Sequence, residues 1–280
     1  MKVALVQMNS VRDIQTNLHE SRKFITEAAA RGAEFITTPE NTTSIEPIRA
    51  AALANTPYEK DHPGISFYSS LAKELRIWLL IGSMPVKVND NKIANRSFLF
   101  DRQGNVIVRY DKIHLFDVDL KAGESYRESD QIQAGTEAIL ADTPWGRIGL
   151  SICYDIRFAA LYRAMAQAGA SILTVPAAFT VPTGKAHWHV LLRARAIETG
   201  CFVLAPAQCG IHAEGRKTFG HSLIVNPWGE ILGEGDNNEP GVITASLDLT
   251  EVMEARHMIP ALQHDRVFVK PQPVLRQASE

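Results

Sequence analysis

Three residues whose side chains could share one reaction lie far apart in the chain, each directly after a segment that predicts a strand. Glu40 follows FITTP, Lys112 follows VIVRYD and Cys153 follows IGLSI. A thiol beside an ammonium group can act as a nucleophile when a nearby carboxylate takes its proton. Because ligands of open α/β sheets bind outside the carboxyl ends of the strands, we expect the three side chains to converge at one edge.

Each of these residues also has an ordinary explanation when it is taken alone. A cysteine is most often a small buried apolar residue, a glutamate often caps a helix or faces solvent, and a lysine is usually a surface charge. Their chemical complementarity is what favours a shared site. The elements around them must then bring the three together.

Two passages of the chain predict a strand, a helix and a strand in the same order. The first runs from VALVQM through a helix with Asp13 as its N-cap to AEFITTPE, and the second runs from RIGLSICYD through FAALYRAMAQAG to ASILTVPAA. RGAEFITTPE and AGASILTVPA also share a Gly-Ala, apolar, Thr and Pro pattern. We interpret the two passages as a short internal duplication in which each half supplies a βαβ-type layer.

Two further passages predict hairpins, because apolar residues alternate around turn residues. They are KIANRSFLFDRQGNVIVRYDK and TFGHSLIVNPWGEILGEG. Parallel units combined with hairpins predict a layered α/β sandwich. Without a linker or a long charge block, we expect residues 1–280 to form a single domain, with a tail from about residue 260 that wraps a surface or a partner.

Composition excludes several classes of protein. The 280 residues are 45% hydrophobic and carry a formal net charge of -2, with no basic run that would indicate nucleic-acid binding. Three cysteines without a CxxC spacing predict neither a disulfide framework nor a zinc site, and favour a reduced, cytoplasmic protein. No apolar stretch approaches the roughly 18 residues that span a membrane, so we expect no membrane association.

Three segments resemble the signatures of the nitrilase, or carbon-nitrogen hydrolase, superfamily: TTPEN around Glu40, RYDKIHLFDVD around Lys112 and SICYDIRF around Cys153. The resemblance extends from residue 2 to about residue 266. It implies an αββα sandwich that dimerises into a four-layer αββα-αββα stack, with Glu40, Lys112 and Cys153 as the catalytic triad. Glu128, in YRESDQIQAG, matches a second glutamate that would orient the lysine or the substrate.

The segment from GKAHWHV to NPWGEIL is similar to the deaminated glutathione amidase branch of the superfamily, with the omega-amidases beside it. This similarity implies a cysteine-dependent amidase that forms a thioester and converts deaminated glutathione to 2-oxoglutarate and cysteinylglycine. An omega-amidase acting on 2-oxoglutaramate, or an amidase for another small amide, is the alternative.

Tyr154 stands where true nitrilases usually have Trp, which disfavours nitrile hydrolysis. The resemblance also implies that the Tyr154 backbone N–H stabilises the oxyanion. Ala160 departs from the Glu that relatives often carry.

A carboxylated substrate requires cations in the pocket. Arg157, Arg216 and Lys217 are the candidates, and we favour Arg157 because it follows the nucleophile in the chain. Phe179 and Thr180 are expected to line the pocket, as in the family. The proposed chemistry requires no metal and no organic cofactor, and the family implies a homodimer or a higher homo-oligomer.

Two other functions fit parts of the sequence. A Cys-His acyl hydrolase would pair Cys153 with His114 or His187, and a non-catalytic binding protein would use the same scaffold without chemistry. His187 and His189 are two residues apart and do not share a helical face, which makes them a poor metal pair. Cys201 and Cys209 are expected to be inert buried thiols.

Overall fold

The computed structural model describes residues 1–120 and 125–271 and contains two six-stranded sheets. In the first sheet the strand order is β16-β1-β2-β3-β4-β5, in which β1, β2 and β3 are parallel and the other neighbours antiparallel. Its strands are β1 (Lys2–Gln7), β2 (Phe35–Thr37), β3 (Trp78–Asn89), β4 (Lys92–Phe100), β5 (Val106–Asp111) and β16 (Gly241–Ser246).

The second sheet repeats this plan with the order β15-β14-β11-β10-β9-β8 and a parallel centre of β9, β10 and β11. Its strands are β8 (Leu140–Thr143), β9 (Gly146–Leu150), β10 (Ala170–Thr174), β11 (Phe202–Ala205), β14 (Leu223–Val225) and β15 (Ile231–Glu234). Two small ribbons lie outside the sheets: β6 (Asp117–Asp119) with β7 (Ser125–Arg127), and β12 (Cys209–Ile211) with β13 (Lys217–Phe219). Both predicted hairpins are present, as β4–β5 and β14–β15.

Helices cover the outer face of each sheet. The helices are α1 (Ile14–Ala30), α2 (Arg49–Asn55), α3 (Pro63–Leu75), α4 (Ala159–Gln167), α5 (Val181–Thr199) and α6 (Thr250–Met258). The predicted N-cap is confirmed, since the Asp13 carboxylate accepts the Thr16 N–H at 2.8 Å. α1 and α3 contribute apolar residues to the core under the first sheet, and α4 and α5 contribute theirs to the core of the second.

Strand β1 shows how one chain segment serves two layers. Val3 and Leu5 belong to the core shared with the second sheet, whereas Ala4 and Val6 belong to the core under α1 and α3. Because successive side chains of a strand point to opposite faces, a continuous apolar run is what a strand buried on both faces requires. The predicted αββα sandwich is therefore confirmed.

The chain after α6 lies against α4. The Arg163 guanidinium donates to the Ala261 carbonyl at 2.9 Å, and the Gln167 amide donates to Asp265 at 2.6 Å. The predicted tail thus begins on a surface of its own chain, and its residues 272–280 lie outside the described residues. No helix in the described ranges combines the length and apolar character needed to cross a membrane.

Candidate active site

The ends of three strands deliver Glu40, Lys112 and Cys153 to a single cleft. Glu40 follows β2, Lys112 directly follows β5, and Cys153 follows β9, so the facing sheets contribute to the same site. All three residues line a cleft of about 1330 Å³. The three side chains therefore meet at the strand ends, as expected.

Lys112 forms the centre of the polar cluster and is only 2% exposed. Its Nζ donates to Glu40 Oε1 at 2.8 Å and to the two carboxylate oxygens of Glu128 at 3.0 and 2.9 Å. Burial acts to lower the pKa of Lys112, but the two carboxylates outweigh it and raise the pKa well above its usual 10.5. The side chain is therefore an ammonium group at neutral pH.

Glu40 and Cys153 share the next part of the cluster. Cys153 lies beside the Glu40 carboxylate, close enough for each group to shift the pKa of the other, and Glu40 Oε2 accepts the Ala178 N–H at 2.9 Å. Burial acts to raise the pKa of Glu40, yet the Lys112 charge and hydrogen bond bring it below 4.5. Burial and the Glu40 charge raise the pKa of Cys153 well above 9.0. The resting pair is a thiol beside a carboxylate.

The turn that carries Cys153 is held in an unusual conformation. Cys153 has a φ of +49°, in the left-handed region that costs a non-glycine residue about 1–2 kcal/mol. Its N–H donates to the Pro176 carbonyl at 2.9 Å, which anchors the residue. A short 3-10 turn, Cys153–Arg157, begins there. Within the described part of the chain, the Tyr154 backbone N–H donates no hydrogen bond.

Glu128 and Asn95 surround the lysine on its other sides. Glu128 Oε2 also accepts the Phe116 N–H at 2.6 Å, which holds the carboxylate while it contacts Lys112. Asn95, on β4, donates to Glu40 at 2.9 Å and more weakly to Glu128 at 3.4 Å. Asn95 is not among the site residues that the sequence predicts. It is one of three consecutive polar residues in IANRSFLF, and nothing in that segment distinguishes it from Arg96 and Ser97.

The candidate substrate-binding residues divide between two places. Phe179 and Thr180 are buried and line the cleft, as expected. Arg157 is absent from the described lining of the cleft; its guanidinium stacks on Tyr154 and Phe179, and contacts the His187 ring nitrogen at 3.3 Å. Arg216 does line the cleft, and its charge acts on Glu40.

The other departures and alternatives are located outside the cleft. Ala160 lies exposed near the start of α4 and is not among the lining residues described. His114 Nδ1 pairs with Asp155 at 2.7 Å, and His187 contacts Arg157. In the described ranges neither histidine hydrogen-bonds to Cys153, so this arrangement does not support the Cys-His alternative.

Cys201 and Cys209 are fully buried, and burial raises the pKa of each thiol.

Comparisons with known proteins bear on the family of this chain. A family model described as carbon-nitrogen hydrolase matches residues 2–257. The deaminated glutathione amidase of Yersinia enterocolitica is 40% identical over 274 residues, covering 94% of this chain and 92% of that protein.

Two solved structures share the fold. Nit3 of Saccharomyces cerevisiae, described as a member of branch 10 of the nitrilase superfamily, has a TM-score of 0.85 at 30% identity, covering 95% of this chain and 97% of Nit3. The NitFhit protein of Caenorhabditis elegans has a TM-score of 0.87 at 35% identity; the match covers 95% of this chain but 65% of the longer NitFhit chain. Since the family model spans most of the sequence and the relatives align over nearly its whole length, this chain belongs to the carbon-nitrogen hydrolase family.

Proposed function

We propose that this chain is a cysteine-dependent amidase that hydrolyses deaminated glutathione to 2-oxoglutarate and cysteinylglycine. The observation that carries the proposal is the buried contact between Lys112 and Glu40 beside the Cys153 thiol. The name of the Yersinia relative supports the choice of substrate. The roles of the individual residues follow from their contacts and protonation states.

Attack begins from a protonated thiol, because the pKa of Cys153 is raised and that of Glu40 is lowered. When the amide carbonyl of the substrate reaches Cys153, Glu40 accepts the thiol proton as the sulfur–carbon bond forms. The carbonyl π electrons move to oxygen and create an oxyanion. Glu40 is thus the general base and Cys153 the nucleophile.

Lys112 and the Tyr154 backbone N–H stabilise this oxyanion. The three N–H bonds of the Lys112 ammonium already point to carboxylate oxygens, two of them on Glu128. Lys112 therefore exchanges one of its bonds to Glu128 for a bond to the oxyanion, while Glu128 keeps the other and holds the ammonium in place. A fixed donor of this kind contributes about 3 kcal/mol to transition-state stabilisation.

The remaining steps release both products and return Glu40 and Cys153 to their starting protonation states. Protonated Glu40 gives its proton to the leaving nitrogen, the carbon–nitrogen bond breaks, and cysteinylglycine departs from a thioester on Cys153. Glu40 then takes a proton from water as the water oxygen adds to the thioester carbonyl. Collapse of this second intermediate breaks the sulfur–carbon bond, returns the proton to sulfur and releases 2-oxoglutarate.

The size and charge of the cleft support a carboxylated substrate larger than 2-oxoglutaramate. Its volume of about 1330 Å³ exceeds the roughly 300–1,000 Å³ of common small-molecule sites. Arg216 and Lys217 lie in its wall, and in the described residues Arg216 makes no ion pair with a carboxylate. We assign the substrate carboxylate to Arg216, with Arg157 as the alternative from the sequence.

The test compares 2-oxoglutarate release from deaminated glutathione and from 2-oxoglutaramate, for the wild type and for Cys153→Ala. A higher kcat/KM for deaminated glutathione, abolished in the variant, supports the proposal. A higher kcat/KM for 2-oxoglutaramate assigns the chain to omega-amidase activity instead. Release that persists in Cys153→Ala contradicts the nucleophile, and no release from either compound removes both substrates.

We also propose that the protein is a single-domain cytoplasmic homodimer. Exposed apolar side chains on α5 and α6 support self-association: Val190 is 68% exposed, Ile197 55%, Met253 70% and Met258 61%. Isolated apolar residues are normal on a surface, but several large ones on neighbouring helices are typical of an interface. Light scattering of the purified protein tests this, and a monomeric mass at micromolar concentration would contradict it.

A further inference from the structure

Three side chains that the amidase chemistry does not use meet on the surface, away from the cleft. His189 Nε2 lies 2.9 Å and His221 Nδ1 lies 2.7 Å from the same oxygen of Glu234. The potential ligand atoms of the three residues all lie within 4.8 Å of one another. The three side chains are 33%, 25% and 37% exposed, respectively, so a solvated ion can reach them.

The cluster has the donor atoms of a transition-metal site. Zinc binds imidazole nitrogen and carboxylate oxygen at about 2.0–2.2 Å in tetrahedral geometry, which places neighbouring ligand atoms about 3.3 Å apart. The two nitrogen–oxygen distances of 2.7 and 2.9 Å need to open by only about 0.5 Å to reach this spacing. Two nitrogens and one oxygen suit zinc and its neighbours, whereas calcium and magnesium prefer oxygen ligands throughout.

Separate elements hold the three ligands in position. His189 lies on α5, His221 follows β13 and Glu234 ends β15. The backbone of His221 is fixed on both sides, because its N–H donates to the Asp236 carbonyl at 3.2 Å and its carbonyl accepts the Trp188 indole N–H at 2.7 Å. These contacts orient the ring before any ion binds.

We propose that His189, His221 and Glu234 bind one divalent transition-metal ion of the zinc class, with water completing its coordination. On binding, each imidazole offers the ion the lone pair of the nitrogen that faces Glu234, and each neutral ring carries its single proton on its other nitrogen. His187, two residues before His189 in the sequence, is a poor partner for it because the two do not share a helical face. The second histidine of the site is supplied by His221.

The bound ion would join α5 to the segment that forms one wall of the cleft. Phe219 packs against both imidazoles, with ring centroids 6.2 Å from His189 and 4.4 Å from His221. The Phe219 N–H donates to the Phe179 carbonyl at 2.9 Å, and Phe179 lines the cleft. The site is thus expected to stabilise this wall, and its existence does not depend on the identity of the amide substrate.

Calorimetric titration of the full chain with zinc chloride tests the proposal. The protein that is titrated, called the host below, is the Cys153→Ala variant, because this substitution removes the reactive thiol as a competing ligand. We expect one ion per chain, and a melting temperature raised by about 5 °C at a free zinc concentration 100-fold above the Kd. Cobalt(II) added to the same protein should give tetrahedral visible bands without a thiolate charge-transfer band.

Three variants remove ligands with little change in shape: His189→Gln, Glu234→Gln and His221→Asn. Asn is chosen because His221 has a φ of +54°, which Asn tolerates. Each should lower zinc affinity at least about tenfold, while His187→Ala, on the same helix, should leave it unchanged. Folding of each variant is checked by its melting curve without metal. No zinc binding by the host, or binding that survives all three substitutions, would overturn the proposal.

Discussion

The buried carboxylate of Asp155 accepts hydrogen bonds from both the backbone N–H and the ring Nδ1 of His114, at 2.9 and 2.7 Å. The same carboxylate accepts the Ile152 N–H at 2.8 Å and the Tyr110 hydroxyl at 2.6 Å. Asp155 thereby connects the segment around Lys112 to the turn that carries Cys153. Asp155 does not line the cleft, yet it joins the two segments that carry the ammonium and the thiol.

Asp155→Asn should destabilise the fold and misplace the two reactive groups. An amide offers one acceptor oxygen where the carboxylate serves four donors, so we expect a loss of about 3 kcal/mol in the free energy of unfolding. Urea denaturation measures the loss. Asp142→Asn, an exposed aspartate in the same half, is the control, and equal unfolding midpoints for the two variants would contradict the proposed connection.

Cys153→Ala should reduce amide hydrolysis by at least about 10⁴-fold, because the covalent route is lost and only binding remains. Cys209→Ala is the matched control, since it removes another buried thiol without touching the cleft. The measurement is kcat/KM for the amide, together with mass spectrometry of rapidly quenched wild-type protein to detect an acylated Cys153. Acylation at Cys209 instead would refute the assignment.

Lys112→Met should shift the pH dependence of the reactivity of the Cys153 thiol. In the wild type the Glu40 pKa lies below 4.5, so the base is ionised above that pH and is lost as the pH falls through the lowered pKa. Without the Lys112 charge, burial raises the Glu40 pKa, and the acid limb should move to higher pH. The rate of iodoacetamide alkylation of Cys153 measures this even in an inactive variant. Lys87→Met is the control, and coincident acid limbs would contradict the role of Lys112.

Glu128→Gln should lower kcat about 10- to 100-fold while changing KM little, because the ammonium loses one of its fixed partners. Glutamine keeps an acceptor for the Phe116 N–H, so the local backbone should be retained. A structural role alone would instead lower the unfolding midpoint. We therefore expect a reduced kcat at an unchanged melting temperature, and Glu128→Asp should recover part of the rate.

Much of the site was predictable because its residues follow recognisable strands. FITTP, VIVRYD and IGLSI are apolar segments whose ends can be located from the sequence, and the signatures around Glu40, Lys112 and Cys153 add specificity. The two-layer plan followed from the repeated strand, helix, strand order. These features are local, and each depends on residues that are near one another in the chain.

The remaining residues could not be predicted because their roles depend on contacts between distant segments. Asn95 contacts Glu40 across 55 positions and Asp155 contacts His114 across 41. Arg157 was favoured for its closeness to Cys153 in the chain, but the 3-10 turn directs it onto the rings of Tyr154 and Phe179. Its role in substrate binding stays a prediction.

Substitution of the two arginines decides which one binds the substrate carboxylate. If Arg216 binds it, Arg216→Gln should raise KM for deaminated glutathione about 10- to 100-fold with kcat nearly unchanged, because a charge-assisted hydrogen bond common to the ground and transition states is lost. Arg157→Gln should then leave KM unaltered, since its guanidinium packs on Tyr154 and Phe179 and does not line the described cleft. The reverse pattern would mean that the Tyr154 and Phe179 rings move when substrate binds and expose Arg157 to the cleft. Steady-state kinetics with the amide substrate, at fixed pH and ionic strength, distinguish the two outcomes, because only the residue that contacts the carboxylate changes KM without changing the chemical step.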